Sequence, residues 1–469
     1  MGLVTDADGP VRQRGAWGRS LSAAQLFVGS FLLLVGVGTV GFKALPGLYA
    51  GEPLSWLDAL FTATSAICVT GLVVVDTATF FTGWGQAYVL LLIQLGGLGI
   101  LTFSTLLLAA LGRRLSLRQE DLARSAAGPA VGLDPLRLTR HVVGFTLGIE
   151  AVGAALLYVQ WAPEMGMSGA LWPAVFHSVS AFCNAGFSTF SDSLVGAQGD
   201  AGILVVVMAL VTVGGIGFLV LEELMDRLRR HPERRPRLSV HTRLVLATTA
   251  LLAVGGGVLF TAFEWGRTFS ELDPLDRAVN GLFLSVTART AGFNAIDYAE
   301  AAPSTNFLTV LLMSVGGSPG STAGGIKTTT AALLVLLAWA RLRGRDHVAV
   351  WGRTVPEGTI QRAVGLFVVA FGVVTAAIFV LTWSELAWAE AQGATVEAEF
   401  LALMFEAASA FNTVGLSMGV TPDLSVVGRW TAIGLMFVGR VGPLAFAAAL
   451  SRRRDPTAFR YASEDVGLG

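Results

Sequence analysis

Four glycine-centred motifs recur along the 469 residues in one setting: CVTGL (68–72), CNAGF (183–187), RTAGF (289–293) and NTVGL (412–416). Each follows an apolar, aromatic-rich stretch, at 55–67, 169–182, 274–288 and 397–411. These stretches run to ~12–15 residues, too short to cross a ~30 Å hydrocarbon core as helices. A second glycine signal follows each motif 24 to 28 residues later: Gly96-Gly97, Gly214-Gly215, Gly316-Gly317 and Gly439. Irregular backbone is tolerated at membrane depth only where protein buries it or where it lines a water-filled cavity. Four such loops therefore point to one shared axis with four-fold pseudo-symmetry. A filter for ions lined by backbone carbonyls has that form.

Composition sets the compartment. The chain is 53% hydrophobic and 14% charged, with a mean hydropathy of +0.65, which marks a polytopic membrane protein. The net charge of −1 hides an asymmetry. Arginines cluster at 12–19, 113–124, 227–237, 341–345 and 452–454, and acids fill the alternate connections. The positive-inside rule puts the basic loops and both termini in the cytoplasm, with the chain in the cell's inner (plasma) membrane. Basic loops beside so many apolar spans argue against nucleic acid as a partner. Cys68 and Cys183 each sit beside a glycine motif and have neither metal-site nor disulfide spacing. No nucleophile–base arrangement is visible, so no enzyme is expected.

Long apolar stretches fall at about 21–45, 84–111, 138–162, 201–225, 239–263, 305–340, 358–384 and 427–450. The predicted fold is all-α and built from one unit: helix, re-entrant pore helix, glycine motif, helix. Four units occupy 21–111, 138–230, 239–341 and 358–451, between tails at 1–20 and 452–469. Two spans per unit make the repeats parallel, about an axis along the membrane normal, unlike the inverted repeats of many secondary transporters.

Gly71, Gly186, Gly292 and Gly415 can take φ > 0 and turn a carbonyl to the axis. The candidate filter is Val69, Thr70 and Gly71; Asn184, Ala185 and Gly186; Thr290, Ala291 and Gly292; and Thr413, Val414 and Gly415. Close helix packing by glycine would account for one such motif, but poorly for four in matched settings.

These features resemble the Trk/Ktr/HKT superfamily of potassium transporters, over about residues 21–455. TVGL (413–416) echoes the TVGYG filter of K+ channels, and SAICVTGLVVVDT (65–77), RTAGFN (289–294) and GGSPGSTAGGIKTTT (316–330) follow the family pattern. Within the superfamily the chain is most similar to the ion-conducting KtrB-type membrane subunits, because the first repeat starts almost at the N-terminus. The resemblance implies K+ as the transported ion, favoured by Gly71, with Na+ as a second candidate. It implies a homodimer in which each protomer has its own pore. It also implies a cytosolic, KtrA-like RCK ring that binds ATP or ADP and gates the pore. This chain shows no nucleotide-binding motif of its own.

The segment 316–327 cannot be a continuous helix. Gly316, Gly317, Gly320, Gly324 and Gly325 each cost roughly 1 kcal/mol in a helix and Pro319 about 3. With Ser318 and Lys327, this stretch is the candidate intramembrane gate, which is its role in the family; a static kink is the alternative. Arg440 stands mid-span in the fourth repeat, where the other repeats have glycine. A charge at that depth needs water or a partner. It is expected to face the pore below the filter and hydrogen-bond the free carbonyls of the loop. Lys327 is read either as part of the gate or as a residue at the cytoplasmic lip of the loop, held by its carbonyls.

Arg289 should point away from the axis, with Glu406 as a candidate partner. Glu150 is read either as part of a coupling-ion site or as buried against another repeat. Asp76, Asp192, Asp297 and Asp423 either ring the outer mouth or cap local turns. The alternatives are a TrkH-like or Na+-permeable cation channel of the same superfamily and, in a different class, an alternating-access solute transporter; parallel repeats and the lack of a substrate-sized polar site argue against the latter.

Overall fold

The computed structural model describes residues 23–99, 135–229, 237–391, 400–442 and 446. The predicted tails at 1–20 and 452–469 lie outside them, as do the far ends of the stretches 84–111 and 427–450. The described residues are mostly helical. The order is α1 (Ala23–Ala44), α2 (Trp56–Ile67), α3 (Thr77–Phe80), α4 (Gly83–Gly97), α5 (Pro135–Cys183), α6 (Ala201–Ile216) and α7 (Phe218–Arg229). Next come α8 (Val240–Glu264), α9 (Pro274–Thr287), α10 (Pro303–Met313), α11 (Thr328–Leu342), α12 (Glu357–Ala391), α13 (Phe400–Asn412) and α14 (Val426–Val441). A two-stranded hairpin, β1 (Ala349–Val350) with β2 (Arg353–Thr354), links α11 to α12.

Local chemistry sets the helix boundaries. Ser55 caps α2 through Asp58 N–H, Asp200 caps α6 through the N–H groups of Gly202 and Ile203, and Ser425 caps α14 through Gly428 N–H. Pro274 and Pro303 occupy first-turn positions, where their missing N–H costs nothing. Gly166, at φ +73, divides α5 into a long helix and a short one that ends at Cys183.

Among the described residues three helices are long and apolar enough to cross a membrane: Val142–Cys183, Val240–Glu264 and Glu357–Trp388. The pair α6 and α7 makes a fourth candidate, bent by 102°. The bend corrects the sequence reading of 201–225 as one span. Gly217, at φ +96, stops α6, and α7 leaves at a new angle. Gly99 (φ +71) and Gly442 (φ +90) stand at the corresponding places after α4 and α14. A left-handed glycine ends a helix because the next N–H turns back to satisfy its last carbonyls; Gly442 N–H bonds Val438 O at 2.9 Å.

The molecule is apolar outside and partly polar within. Leu33, Val37 and Val40 on α1, Val152 and Val159 on α5, Leu251 and Val258 on α8, and Phe371, Phe379 and Trp383 on α12 are exposed. Apolar faces of that extent are what lipid covers. The short helices supply fully buried rings, Phe61, Phe176, Phe283, Phe405 and Phe411, and buried polar groups, Ser65, His177, Ser180, Glu406 and Ser409. This is the arrangement of a multi-pass membrane protein.

Candidate ion-conduction site

Each short helix, α2, the second part of α5, α9 and α13, runs into a loop with the same backbone signature. Val69 (φ +55), Asn184 (φ +60), Thr290 (φ +79) and Thr413 (φ +50) are left-handed. Two residues further on, so are Gly71 (φ +94), Gly186 (φ +69), Gly292 (φ +78) and Gly415 (φ +95). Thr70, Ala185, Ala291 and Val414 between them are not. Alternating handedness turns successive carbonyls towards one side, where an extended strand would alternate them. Val69, Thr290 and Thr413 are β-branched, and a β-branched residue at positive φ is a true outlier. Strain of this kind persists only where the surroundings enforce it, and it gathers at functional sites.

The four glycines form a closed ring. A Cβ placed on Gly71 would overlap the carbonyl oxygen of Ala185, and one on Gly186 would lie 2.9 Å from Ala291 O. One on Gly292 would overlap Val414 O, and one on Gly415 would overlap Thr70 O. Each loop thus abuts the next in chain order, and the fourth returns to the first. Close backbone approach excludes a side chain at all four positions.

Hydroxyls hold the loops from behind, and the sequence reading missed them. Ser65 Oγ accepts Gly71 N–H at 3.1 Å, and Ser409 Oγ accepts Gly415 N–H at 3.0 Å. Ser180 Oγ donates to Phe187 O at 2.7 Å. The third loop has one more residue between its serine and its glycine, and there Thr287 Oγ1 donates to Phe293 O at 2.8 Å. The signal was legible as Ser-Ala-(Ile/Phe) at 65–67, 180–182 and 409–411.

The second glycines seat the following helices. A Cβ on Gly96, Gly214 or Gly439 would overlap the carbonyl oxygen of Ile67, Phe182 or Phe411, near the end of the neighbouring short helix. Gly316 departs from this: a Cβ there would lie 2.5 Å from Gly324 O, in its own segment. Residues 314–327, between α10 and α11, are not helical. They are stitched to their surroundings instead. Gly316 N–H bonds Ile326 O (2.7 Å), Ser318 N–H bonds Gly215 O (3.0 Å), Thr322 N–H bonds Gly214 O (3.3 Å), and Phe218 N–H bonds Gly320 O (3.1 Å). Thr322 Oγ1 reaches the Asn184 amide at 2.8 Å, and Gly324 packs against the Thr413 side chain. The segment therefore lies directly against the second and fourth loops.

Arg440 joins this segment to the first unit. Its Nη1 donates to Thr322 O and its Nη2 to Gly96 O. It is not mid-helix, as the sequence suggested, but in the last turn of α14, two residues before Gly442. Lys327 Nζ donates to Ala323 O at 2.7 Å and Gly324 O at 3.4 Å, so its charge rests on the same segment.

The remaining polar residues separate from the site. Glu406 does not pair with Arg289: its carboxylate accepts from Ser417 and, at 2.9 Å, from Thr421. Arg289 is buried and its Nε has no partner. Glu150 accepts from Gln94 of α4 at 3.1 Å, burying it against the first unit. Asp76, Asp192 and Asp297 accept the N–H groups of Ala78, Gly196 and Ala299 at 3.0, 2.9 and 2.8 Å, while Asp423 lies in an exposed turn. Local capping thus accounts for three of the four. Cys68 and Cys183 are buried free thiols.

A model of the TrkH family, described as cation transport protein, matches residues 23–455. This chain belongs to the TrkH cation transport family. Members of that family are ion transporters, not enzymes. The chain is 36% identical over 455 residues to the potassium/sodium uptake protein NtpJ of Enterococcus hirae, covering 96% of this chain and 98% of that one. It is 37% identical to the Ktr system potassium uptake protein B of Bacillus subtilis, over 97% and 98% of the two chains. Against the protein of the same description from Vibrio alginolyticus the identity is 39%, over 90% of each. The crystal structure of the potassium transporter TrkH from Vibrio parahaemolyticus superposes with a TM-score of 0.70 over 92% of this chain and 86% of that chain. At 20% identity that likeness concerns the fold alone.

Proposed function

We propose that this protein is the ion-translocating membrane subunit of a Ktr-type potassium uptake system. Four parallel helix–pore helix–helix units surround one pore, and backbone carbonyls at 69–71, 184–186, 290–292 and 413–415 replace the hydration shell of K+. The observation that carries this reading is the closed ring of Gly71, Gly186, Gly292 and Gly415, each seated against the next loop's carbonyl. Four pairs of left-handed residues support it, because they are costly and serve no need of helix packing.

Residues 316–327 are the gate, and Arg440 holds it closed by bonding Thr322 O from one side and Gly96 O from the other. Breaking those bonds frees the segment to move, and a guanidinium below the filter repels cations while it stays. The homologues named for a Ktr system support a multi-component assembly. In it, a homodimer of this chain meets a cytosolic RCK-type ring that binds ATP or ADP, with both termini on the cytoplasmic side. Na+ enters as a second cargo through the relative named for potassium and sodium uptake.

Uptake of a rubidium tracer into proteoliposomes, competed by K+ and by Na+, tests the reading. It predicts saturable uptake displaced by K+ at lower concentration than by Na+. Absence of tracer uptake, or uptake only in strict exchange for another solute, would overturn it.

A further inference from the structure

Two of the four loops carry a polar brace that the other two lack. His177 stands nine residues before Gly186, and Glu406 nine before Gly415. Two residues after the same glycines stand Ser188 and Ser417. His177 Nε2 lies 2.8 Å from Ser188 Oγ, and Ser417 donates to Glu406 Oε1. Each serine also accepts the N–H two residues on, Phe190 N and Gly419 N, both at 2.9 Å. At the matching positions the first loop has Thr62 and Val73, and the third, whose helix is one residue out of step with its glycine, has Leu282 and Asn294. The Thr62 hydroxyl is buried without a partner.

The proton arrangement in each brace is determined by its neighbours. His177 Nδ1 is 2.8 Å from Pro173 O, which can only accept, so Nδ1 carries the proton and Nε2 takes the hydroxyl of Ser188. Glu406 accepts from Ser417 on one oxygen and from Thr421 on the other. Both pairs thus tie a buried side chain on the short helix to the strand leaving the ring. His177 and Glu406 are nearly inaccessible, at 0% and 2% exposure, while Ser188 is buried and Ser417 half-buried, so water has little access to these bonds.

The contacts around the ring run first to second to third to fourth, so the second and fourth loops face each other across it. Where cavity size sets the preference, a carbonyl ring favours the larger cation while it resists closing on the smaller one. We infer that His177–Ser188 and Glu406–Ser417 are positioning pairs that hold one diameter of the ring open. Preference for K+ over Na+ depends on them. This rests on the reading of the four loops as the ion filter.

The test uses the full-length protein in proteoliposomes and compares the K+ and Na+ concentrations that halve rubidium uptake. Ser188→Ala and Ser417→Ala should each lower discrimination about fivefold, the effect of one buried hydrogen bond, and the double variant should lower it further. Ser417→Thr, which keeps the hydroxyl, should retain it. Thr62→Val, at the unbraced position, should match wild type. Unchanged discrimination in both alanine variants, or an equal loss in Thr62→Val, overturns the proposal. If an alanine variant does not accumulate, the other member of its pair is removed instead, His177→Phe for Ser188 or Glu406→Leu for Ser417, with the same expected loss. Should wild type take up no tracer, or Gly415→Ala leave uptake and discrimination intact, it is the filter reading that fails; if those controls behave and only the serine variants match wild type, the positioning pairs alone fail.

Discussion

Gly96, Gly214 and Gly439 each let a helix settle onto the carbonyl near the end of a short helix, whereas Gly316 sits against its own chain at Gly324. The sequence marks the four positions alike, at nearly equal distance after each loop glycine. The backbone beyond them differs. In the first, second and fourth units a single left-handed glycine, Gly99, Gly217 or Gly442, ends the helix three residues later. In the third unit Pro319 and four further glycines spread the break over 314–327. One glycine makes a corner, while a run of them makes a segment that draws several of its hydrogen bonds from its neighbours, Gly214, Gly215 and Phe218. The ring of four loops is built by matched parts, and the departure in the third unit lies against two of them, at Asn184 and Thr413. Arg440, at the place of Gly97 and Gly215, is the complementary departure in the fourth unit.

This contrast can be broken at several points. The largest effect is expected from Gly292→Ala, which adds a methyl against Val414 O at a residue with φ +78. Uptake should fall about a hundredfold or more, since the carbonyl ring itself must shift. Wild-type uptake in a variant that purifies normally would refute the ring's role. Arg440→Ala removes both bonds to the segment and should raise K+ flux about three- to tenfold; unchanged or lower flux would argue against Arg440 as the closing element. Ser409→Ala removes the acceptor for Gly415 N–H and leaves that half-buried donor without a partner. A loss of ~1–2 kcal/mol in stability is expected, read as a lower thermal midpoint in detergent. The smallest effect concerns the seam where the fourth unit meets the first. Arg429 pairs with Asp58 at 2.6 Å, with side chains 24% and 19% exposed. Asp58→Ala should cost about 1 kcal/mol, read in the same melt, with little change in uptake.

Much of this was legible before the structure. The short helices, the positions of the four loops and the break after Met313 follow from local properties: glycine's tolerance of positive φ, proline's missing N–H, and apolar runs too short to span. Other features were written in the sequence but unread, such as the serine ahead of three of the ring glycines and the pairs formed by His177 with Ser188 and Glu406 with Ser417. Arg289 shows the limit. Its charge suggested a carboxylate partner, yet Glu406 is occupied by Ser417 and Thr421.

Class and parts list are thus properties of the chain read locally, because hydropathy, charge asymmetry and backbone propensity act over a few residues. The order of the ring, the bend at Gly217 and the contacts of Arg440 with Thr322 and Gly96 were decided only on folding. Those residues are separated by more than a hundred positions, and spacing along a chain carries no information about which carbonyl a guanidinium will reach. That choice is made by packing, which brings distant backbone within hydrogen-bond distance and leaves no water to compete.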